Sequence, residues 1–221
     1  MKSSKSPKQV ESELKYSLSK PEYLKLKKHL SQYRSSVLRQ TNFYFDTKSL
    51  SLKKKQIGLR IRNENPKKSS TLTVKFPKSQ PSTKFSALKI RTEIEASIPK
   101  LAARQTVTNL RLITSLENEP LLALRQKVAS STLQKVSCLG ALKTKRIVFR
   151  IHSKLFLELD CSSYFGKVFY ELEIETKSPV KIDRWIRTLF EELKISYQPG
   201  YTSKLQRFLV TWKTESKKKR D

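Results

Sequence analysis

At 221 residues the chain is long enough to bury a core of ordinary domain size, and 37% hydrophobic with 9% aromatic residues suits a globular protein. No apolar run reaches the roughly 18–20 residues of a membrane span. The Lys/Ser-rich stretch 1–9 lacks the apolar centre of a secretory signal, and two cysteines, Cys138 and Cys161, exclude a disulfide scaffold and suit a reducing, cytoplasmic setting. The formal net charge of +28 implies attraction to polyanions such as nucleic acid, nucleotides, polyphosphate or anionic lipid.

Residues 1–9 and 213–221 read as basic disordered tails, suited to solubility and non-specific polyanion contacts, which leaves 10–212 as a single domain. Period-2 alternation then predicts eight strands, at 10–18, 42–46, 57–62, 71–76, 88–98, 145–151, 155–161 and 168–176. Helical signals interrupt them. Ser19-Lys20-Pro21-Glu22 reads as a capping box opening a helix to about Arg34. Residues 101–128 look mainly helical, broken near Pro120. Ile182, Trp185, Ile186, Leu189, Phe190 and Leu193 form an apolar stripe after Pro179, and Leu205, Phe208, Leu209 and Trp212 suggest a short final helix. Stretches 53–56, 63–68 and 78–84 read as solvated loops. An even number of antiparallel strands suits an α+β fold in which a closed eight-stranded antiparallel barrel carries its helices outside.

Alternation alone does not say which way a charged strand face points, and in most antiparallel sheets it meets water. Two features turn it inward here. The amphipathic helices need apolar surface to cover, which the outer Leu/Ile/Val/Phe face of a barrel supplies. The acids are also concentrated: of 19 Asp and Glu, nine stand at alternate strand positions, namely Glu11, Glu13, Glu93, Glu95, Glu158, Asp160, Glu171, Glu173 and Glu175.

An inward face of this kind has definite chemistry. Residues i and i+2 of a strand lie roughly 7 Å apart, so paired carboxylates meeting in one cavity repel and their pKa values rise unless cations neutralise them. Mg²⁺ or Mn²⁺ takes carboxylate oxygens and keeps open positions for phosphate. The basic residues on matching faces, Lys15, Arg60, Arg62, Lys75, Arg91, Arg146 and Arg150, then suit a polyanion. Acids for metal and bases for phosphate are the equipment of phosphoryl transfer. The two histidines and four glycines offer neither a hydrolase triad nor a phosphate loop.

The motifs also resemble a known family. Glu11-Ser12-Glu13-Leu14-Lys15 resembles the ExExK signature of the CYTH superfamily, the triphosphate tunnel metalloenzymes. In the family's order follow Asn42-Phe43-Tyr44-Phe45-Asp46-Thr47, similar to its NxYFDT strand, and Leu59-Arg60-Ile61-Arg62, similar to LRxR. Thr71-Leu72-Thr73-Val74-Lys75 resembles TLTxK and Arg91-Thr92-Glu93-Ile94-Glu95 resembles RxExE. Lys145-Arg146, Glu158-Leu159-Asp160, Glu171-Leu172-Glu173-Ile174-Glu175 and Ser203-Lys204 complete the set.

The resemblance implies a tunnel enzyme that binds Mg²⁺ or Mn²⁺ and cleaves a small triphosphate-bearing molecule: tripolyphosphate, thiamine triphosphate or a nucleoside triphosphate. It assigns Glu11, Glu13, Glu171 and Glu173 to the metal, with the run Glu171, Glu173, Glu175 fitting in two registers one alternation apart. Glu93, Glu95 and Asp160 complete the acidic sites or orient the attacking water. Lys15, Arg60, Arg62, Lys75, Arg91, Arg146 and Lys204 hold phosphates. A class IV adenylate cyclase, making cyclic AMP and pyrophosphate, is the alternative within the family. A polyanion-binding module without catalysis is the alternative that the charge supports, since the basic excess lies outside the motifs.

Overall fold

The computed structural model describes residues 9–77, 88–108, 117–200 and 202–218. Eight strands are present: β1 (Gln9–Leu18), β2 (Arg34–Thr47), β3 (Gly58–Asn65), β4 (Ser69–Pro77), β5 (Leu88–Pro99), β6 (Val136–His152), β7 (Leu155–Tyr164) and β8 (Lys167–Glu175). Their neighbour order, β1-β5-β4-β3-β2-β6-β7-β8, is that of a closed barrel. No helix among the described residues is long and apolar enough to cross a membrane. The chain divides into two compact units, one built mainly from Gln40–Lys78 and Arg91–Leu142, the other from Glu11–Arg39 and Lys143–Asp221.

In the first unit β4 is paired on both edges. Arg60 lies opposite Thr73 and Arg62 opposite Thr71, while Thr73 lies opposite Glu95 and Lys75 opposite Glu93. Leu59, Ile61, Leu72 and Val74 alternate with these polar residues and form the core. They pack with Ala103 of α3 (Lys100–Thr108) and with Leu121 and Leu124 of α4 (Glu119–Arg125). The helical stretch expected over 101–128 is thus at least two pieces, and Pro120 opens the second instead of breaking it. Proline is tolerated in a first turn because the N–H it lacks has no partner there; Asn118 caps the helix by accepting from Leu121 N at 3.2 Å. Residues 109–116, and the loop read at 78–84, lie outside the described residues.

The NxYFDT strand ends in a cap. The Asp46 carboxylate accepts from the backbone N–H groups of Thr47 (2.7 Å), Leu52 (2.8 Å) and Lys53 (2.9 Å). It thereby starts α2 (Ser51–Lys54) where the sequence suggested only loop from residue 53.

The second unit joins β6, β7, β8 and β1 in antiparallel registers. Its core gathers Leu14, Tyr16, Phe149, Leu157, Leu159, Leu172 and Ile174 from the strands. Leu26 and Leu30 of α1 (Lys20–Leu30) join it, as do Ile186, Leu189 and Phe190 of α6 (Pro179–Glu192), with α5 being Ser130–Leu133. The expected capping box forms: Ser19 N donates to Glu22 Oε2 at 2.7 Å and Glu22 N to Ser19 Oγ at 3.4 Å. The helix ends at Leu30, short of Arg34, because Ser31 turns both its N–H (3.2 Å) and its hydroxyl (2.6 Å) back onto Lys28 O. Strand β2 then begins at Arg34. The last helix, α7 (Lys204–Lys218), continues past Trp212, so residues 213–218 are helical instead of forming a tail.

The inward-facing charge inferred above has a direct counterpart. Along β8 burial does not alternate: Glu171 is 1% exposed, Leu172 0%, Glu173 5% and Ile174 0%. The apolar residues meet the helices and the acids meet cations, so over 171–174 both faces of the strand are closed to water.

Candidate active site

Cross-strand pairing gathers the charges of the second unit on one face. Lys15 of β1 stands opposite Glu173, Glu158 of β7 also opposite Glu173, Asp160 opposite Glu171, and Arg146 of β6 opposite Asp160. Helix α7 adds Lys204 and Arg207, which share a helix face at i, i+3 spacing.

The resulting network is dense. Glu173 Oε1 receives both Lys15 Nζ and Lys204 Nζ at 2.5 Å, and its Oε2 receives Arg146 Nη2 at 2.6 Å. Arg146 forks onto Asp160 with Nε to Oδ1 at 2.8 Å and Nη2 to Oδ2 at 2.7 Å, and also pairs with Glu158. Lys204 Nζ lies 2.8 Å from Asp160 Oδ2 and 3.1 Å from Glu171 Oε2. Arg207 Nη2 reaches Glu171 Oε1 at 2.5 Å, its guanidinium 5.4 Å from the centroid of the Phe169 ring. Glu13 lies 3.8 Å from Lys15 Nζ.

Burial this deep would normally neutralise such groups. It pushes the Glu173 carboxyl up, but Lys15, Lys204 and Arg146 outweigh it and hold the group well below the usual range. Glu171 is lowered in the same way, by Lys204 and Lys15. Burial pulls Lys15, Arg146 and Lys204 down, and the facing carboxylates more than restore them. Glu158 departs from the pattern. Burial, with Glu173 and Asp160 beside it, raises it to about 7 despite Arg146.

The first unit holds a second charged group. Glu93, 2% exposed, pairs with Lys75 and lies 3.7 Å from Arg60 Nη2. Glu95 accepts from Thr73 Oγ1 at 2.6 Å and lies 3.5 Å from Arg60. Arg62 Nε donates to Asn42 Oδ1 at 2.9 Å.

The residues named from the sequence therefore fall into two sets. Glu13, Lys15, Arg146, Asp160, Glu171, Glu173 and Lys204 come together in the second unit, and Arg60, Arg62, Lys75, Glu93 and Glu95 lie in the first. The backbones of Glu11 and Arg91 lie in β1 and β5; their side chains fall outside the described residues. Of the two registers open for the last acidic run, the buried pair is Glu171 and Glu173, while Glu175 is exposed and stands opposite Glu13. Arg207 was missed by sequence reading. Its signal was the i+3 step from Lys204 on the apolar-striped final helix.

The donor set suits a hard divalent cation. Among the described residues five carboxyl groups, Glu13, Glu158, Asp160, Glu171 and Glu173, stand among the cations Lys15, Arg146, Lys204 and Arg207. Both Glu171 oxygens are buried without a directed hydrogen bond; their contacts to Arg207 and Lys204 are electrostatic. Among the described residues no three acidic, imidazole or thiol groups already stand together as a metal centre, because the lysines and arginines lie between the carboxylates.

The CYTH domain model matches residues 9–209. YjbK of Bacillus subtilis (strain 168), a candidate triphosphatase, is 28% identical over 169 residues, covering 76% of this chain and 77% of its own. A candidate adenylate cyclase from Bacillus halodurans is similar in structure, with a TM-score of 0.72 and 27% identity over 91% of this chain and 98% of that one. The Hippeastrum protein HpAC1, described as a candidate adenylyl cyclase with a dominant triphosphatase activity, superposes at a TM-score of 0.80. It covers 91% of this chain and 96% of its own, and at 24% identity it shows the shared fold. With the family model spanning nearly the whole sequence, the chain belongs to the CYTH domain family.

Proposed function

We propose that this protein is a divalent-metal-dependent hydrolase of a triphosphate. The observation that carries the reading is the network around Glu173. A fold has no need to bury Asp160, Glu171 and Glu173 with Lys15, Arg146 and Lys204, since desolvating such charges costs as much as their pairing returns. A polyphosphate and its cation do need both signs at short range.

Glu13, Glu171 and Glu173, with Glu11, are assigned to hold Mg²⁺ or Mn²⁺, which when bound supplies charge neutralisation on the phosphate oxygens. Lys15, Arg146 and Lys204 then exchange carboxylate for phosphate oxygen, and Arg60, Arg62, Lys75 and Arg91 are assigned to phosphate as well. Arginine forks suit those oxygens in bidentate geometry. Asp160, Glu93 and Glu95 are assigned to complete the acidic sites and orient the attacking water. YjbK, described as a candidate triphosphatase, supports hydrolysis as the reaction.

One assay tests this: release of phosphate from tripolyphosphate, thiamine triphosphate and ATP, with Mg²⁺, with Mn²⁺ and with chelator. Turnover that requires metal is expected. Cyclic AMP and pyrophosphate from ATP would make the protein a cyclase instead. Salt-sensitive binding of polyanions without turnover in any mixture would sink the catalytic reading.

A further inference from the structure

Gly200 lies at a place where the backbone itself touches the site. Residues Gln198 to Gly200 run antiparallel along β1 as a strap: Ser17 N donates to Gln198 O and Gly200 N to Lys15 O, both at 2.8 Å, and Tyr16 bridges Pro199. The strap is pinned at one end. Tyr197 OH donates to Asp183 Oδ1 at 2.6 Å, the same oxygen that accepts Tyr16 OH at 2.8 Å. Arg187 donates to Asp183 Oδ2 at 2.9 Å and stacks 3.6 Å from the centroid of the Tyr197 ring.

At the other end the strap presses on Lys15. A Cβ placed on Gly200 would lie 2.5 Å from Lys15 Cγ, 3.0 Å from Cδ and 3.3 Å from Cβ. Those carbons form the base and middle of the side chain, not its free end, so they cannot swing aside while Nζ keeps its 2.5 Å contact with Glu173. The requirement for glycine is thus steric and comes from a neighbouring side chain. A methyl group here would meet the stem of Lys15 before anything else.

We propose that Gly200 is a positioning residue. Its bare Cα is the wall that routes the Lys15 stem toward Glu173, so the strap fixes where the Lys15 ammonium meets the substrate phosphate. The last clause rests on the triphosphatase reading; the mechanical coupling of Gly200 to Lys15 does not.

The test compares wild type, G200A, K15A and G200A/K15A as full-length proteins. In ligand-free protein, acylation of Lys15 by acetic anhydride, read by mass spectrometry, should rise by about tenfold in G200A. Affinity for tripolyphosphate in chelator, read by calorimetry, should fall by about tenfold, as for loss of one charge-assisted contact. In the K15A background the 2.5 and 3.0 Å approaches are gone and only the 3.3 Å approach to the Cβ of residue 15 remains, so G200A should cost much less stability than in wild type and no further affinity.

If G200A fails to fold but the double variant folds, the steric link is supported; if K15A folds while G200A and the double variant both fail, the clash is not with Lys15 and the proposal falls. Unchanged Lys15 acylation in folded G200A would overturn it, and so would a stability penalty that persists undiminished in K15A. Should wild type neither bind nor cleave any triphosphate, the functional reading fails, while acylation and stability still decide the role of Gly200.

Discussion

Lys15 and Glu173 face one another across the β1–β8 ladder, and their charged ends meet at 2.5 Å inside a region where each residue is only 5% exposed. Glu173 also takes Arg146 and Lys204. E173Q therefore leaves three cations around a neutral amide, and loss of one member of a buried ion pair costs about 3–5 kcal/mol. Urea unfolding at neutral pH should show that loss, and metal-dependent hydrolysis should disappear. A variant of wild-type stability would mean that the cations find other partners at no cost.

Acid should act through the same carboxylate. The folded-state pKa of Glu173 is depressed well below 4.5, so its stabilising contribution is present above the unfolded value and is lost as pH falls through the folded one. The part of the wild-type melting profile that Glu173 controls, read as the difference from E173Q, should thus be constant down to about pH 5 and decline below pH 4.5. In E173Q this part of the decline should be absent. Parallel pH profiles for the two proteins would refute the assignment.

Glu158 carries the opposite sign. Its carboxyl is raised from 4.5 to about 7, so the folded state binds a proton more tightly than the unfolded state. That contribution is present below pH 4.5 and is lost as pH rises toward 7. E158Q has nothing to ionise there. Its stability relative to wild type should improve by about 2–3 kcal/mol between pH 4.5 and pH 8. A pH-independent difference between the two proteins would contradict the shift.

Asp183 ties three elements with one side chain, accepting from Tyr16, Tyr197 and Arg187. D183A should destabilise the second unit by about 3 kcal/mol, because the buried Tyr16 hydroxyl and the half-buried Tyr197 hydroxyl lose their acceptor. It should also lower the Tyr16 pKa, which burial and the Asp183 carboxylate hold above 10. Ultraviolet titration of the tyrosines measures the second effect, and an unchanged titration would show that Asp183 does not govern Tyr16.

In the first unit the corresponding test is D46A. Three backbone N–H groups lose their acceptor, and a lost cap of this kind costs about 1–2 kcal/mol. Hydrogen exchange at Leu52 and Lys53 should quicken well before global unfolding. Equal exchange in both proteins would show that α2 does not depend on Asp46.

The parts of the fold that sequence revealed are those where alternation is strong. The runs Leu59–Arg62 and Glu171–Glu175 pair apolar with charged residues without a break, and both lie in strands. Strand β2 was foreshortened to 42–46 because Arg34–Thr41 is polar and largely exposed, so no apolar period marks it. Strand β6 lost its first half for a related reason: Ser137, Cys138, Gly140 and Ala141 are small and only half-buried.

The site was legible as a list of charges, not as a grouping. Alternation placed Glu173 and Lys15 on charged faces, but only the registers with Asp160 and Arg146 show who pairs with whom. Arg207 carries no strand signal because it comes from a helix. Gly200 carries none because its role depends on the stem of a residue 185 positions away.

Neighbours Lys15 and Tyr16 point in opposite directions, one into a nest of carboxylates and the other to Asp183 among apolar side chains. A slip of β1 by a single residue would exchange them. Ammonium would then be driven into hydrocarbon and phenol into the acids, with the same inversion at Glu13 and Leu14. The charged interior thus acts as a proofreading device during folding, since misaligned pairings of β1 are penalised at several successive positions while the correct one satisfies them all.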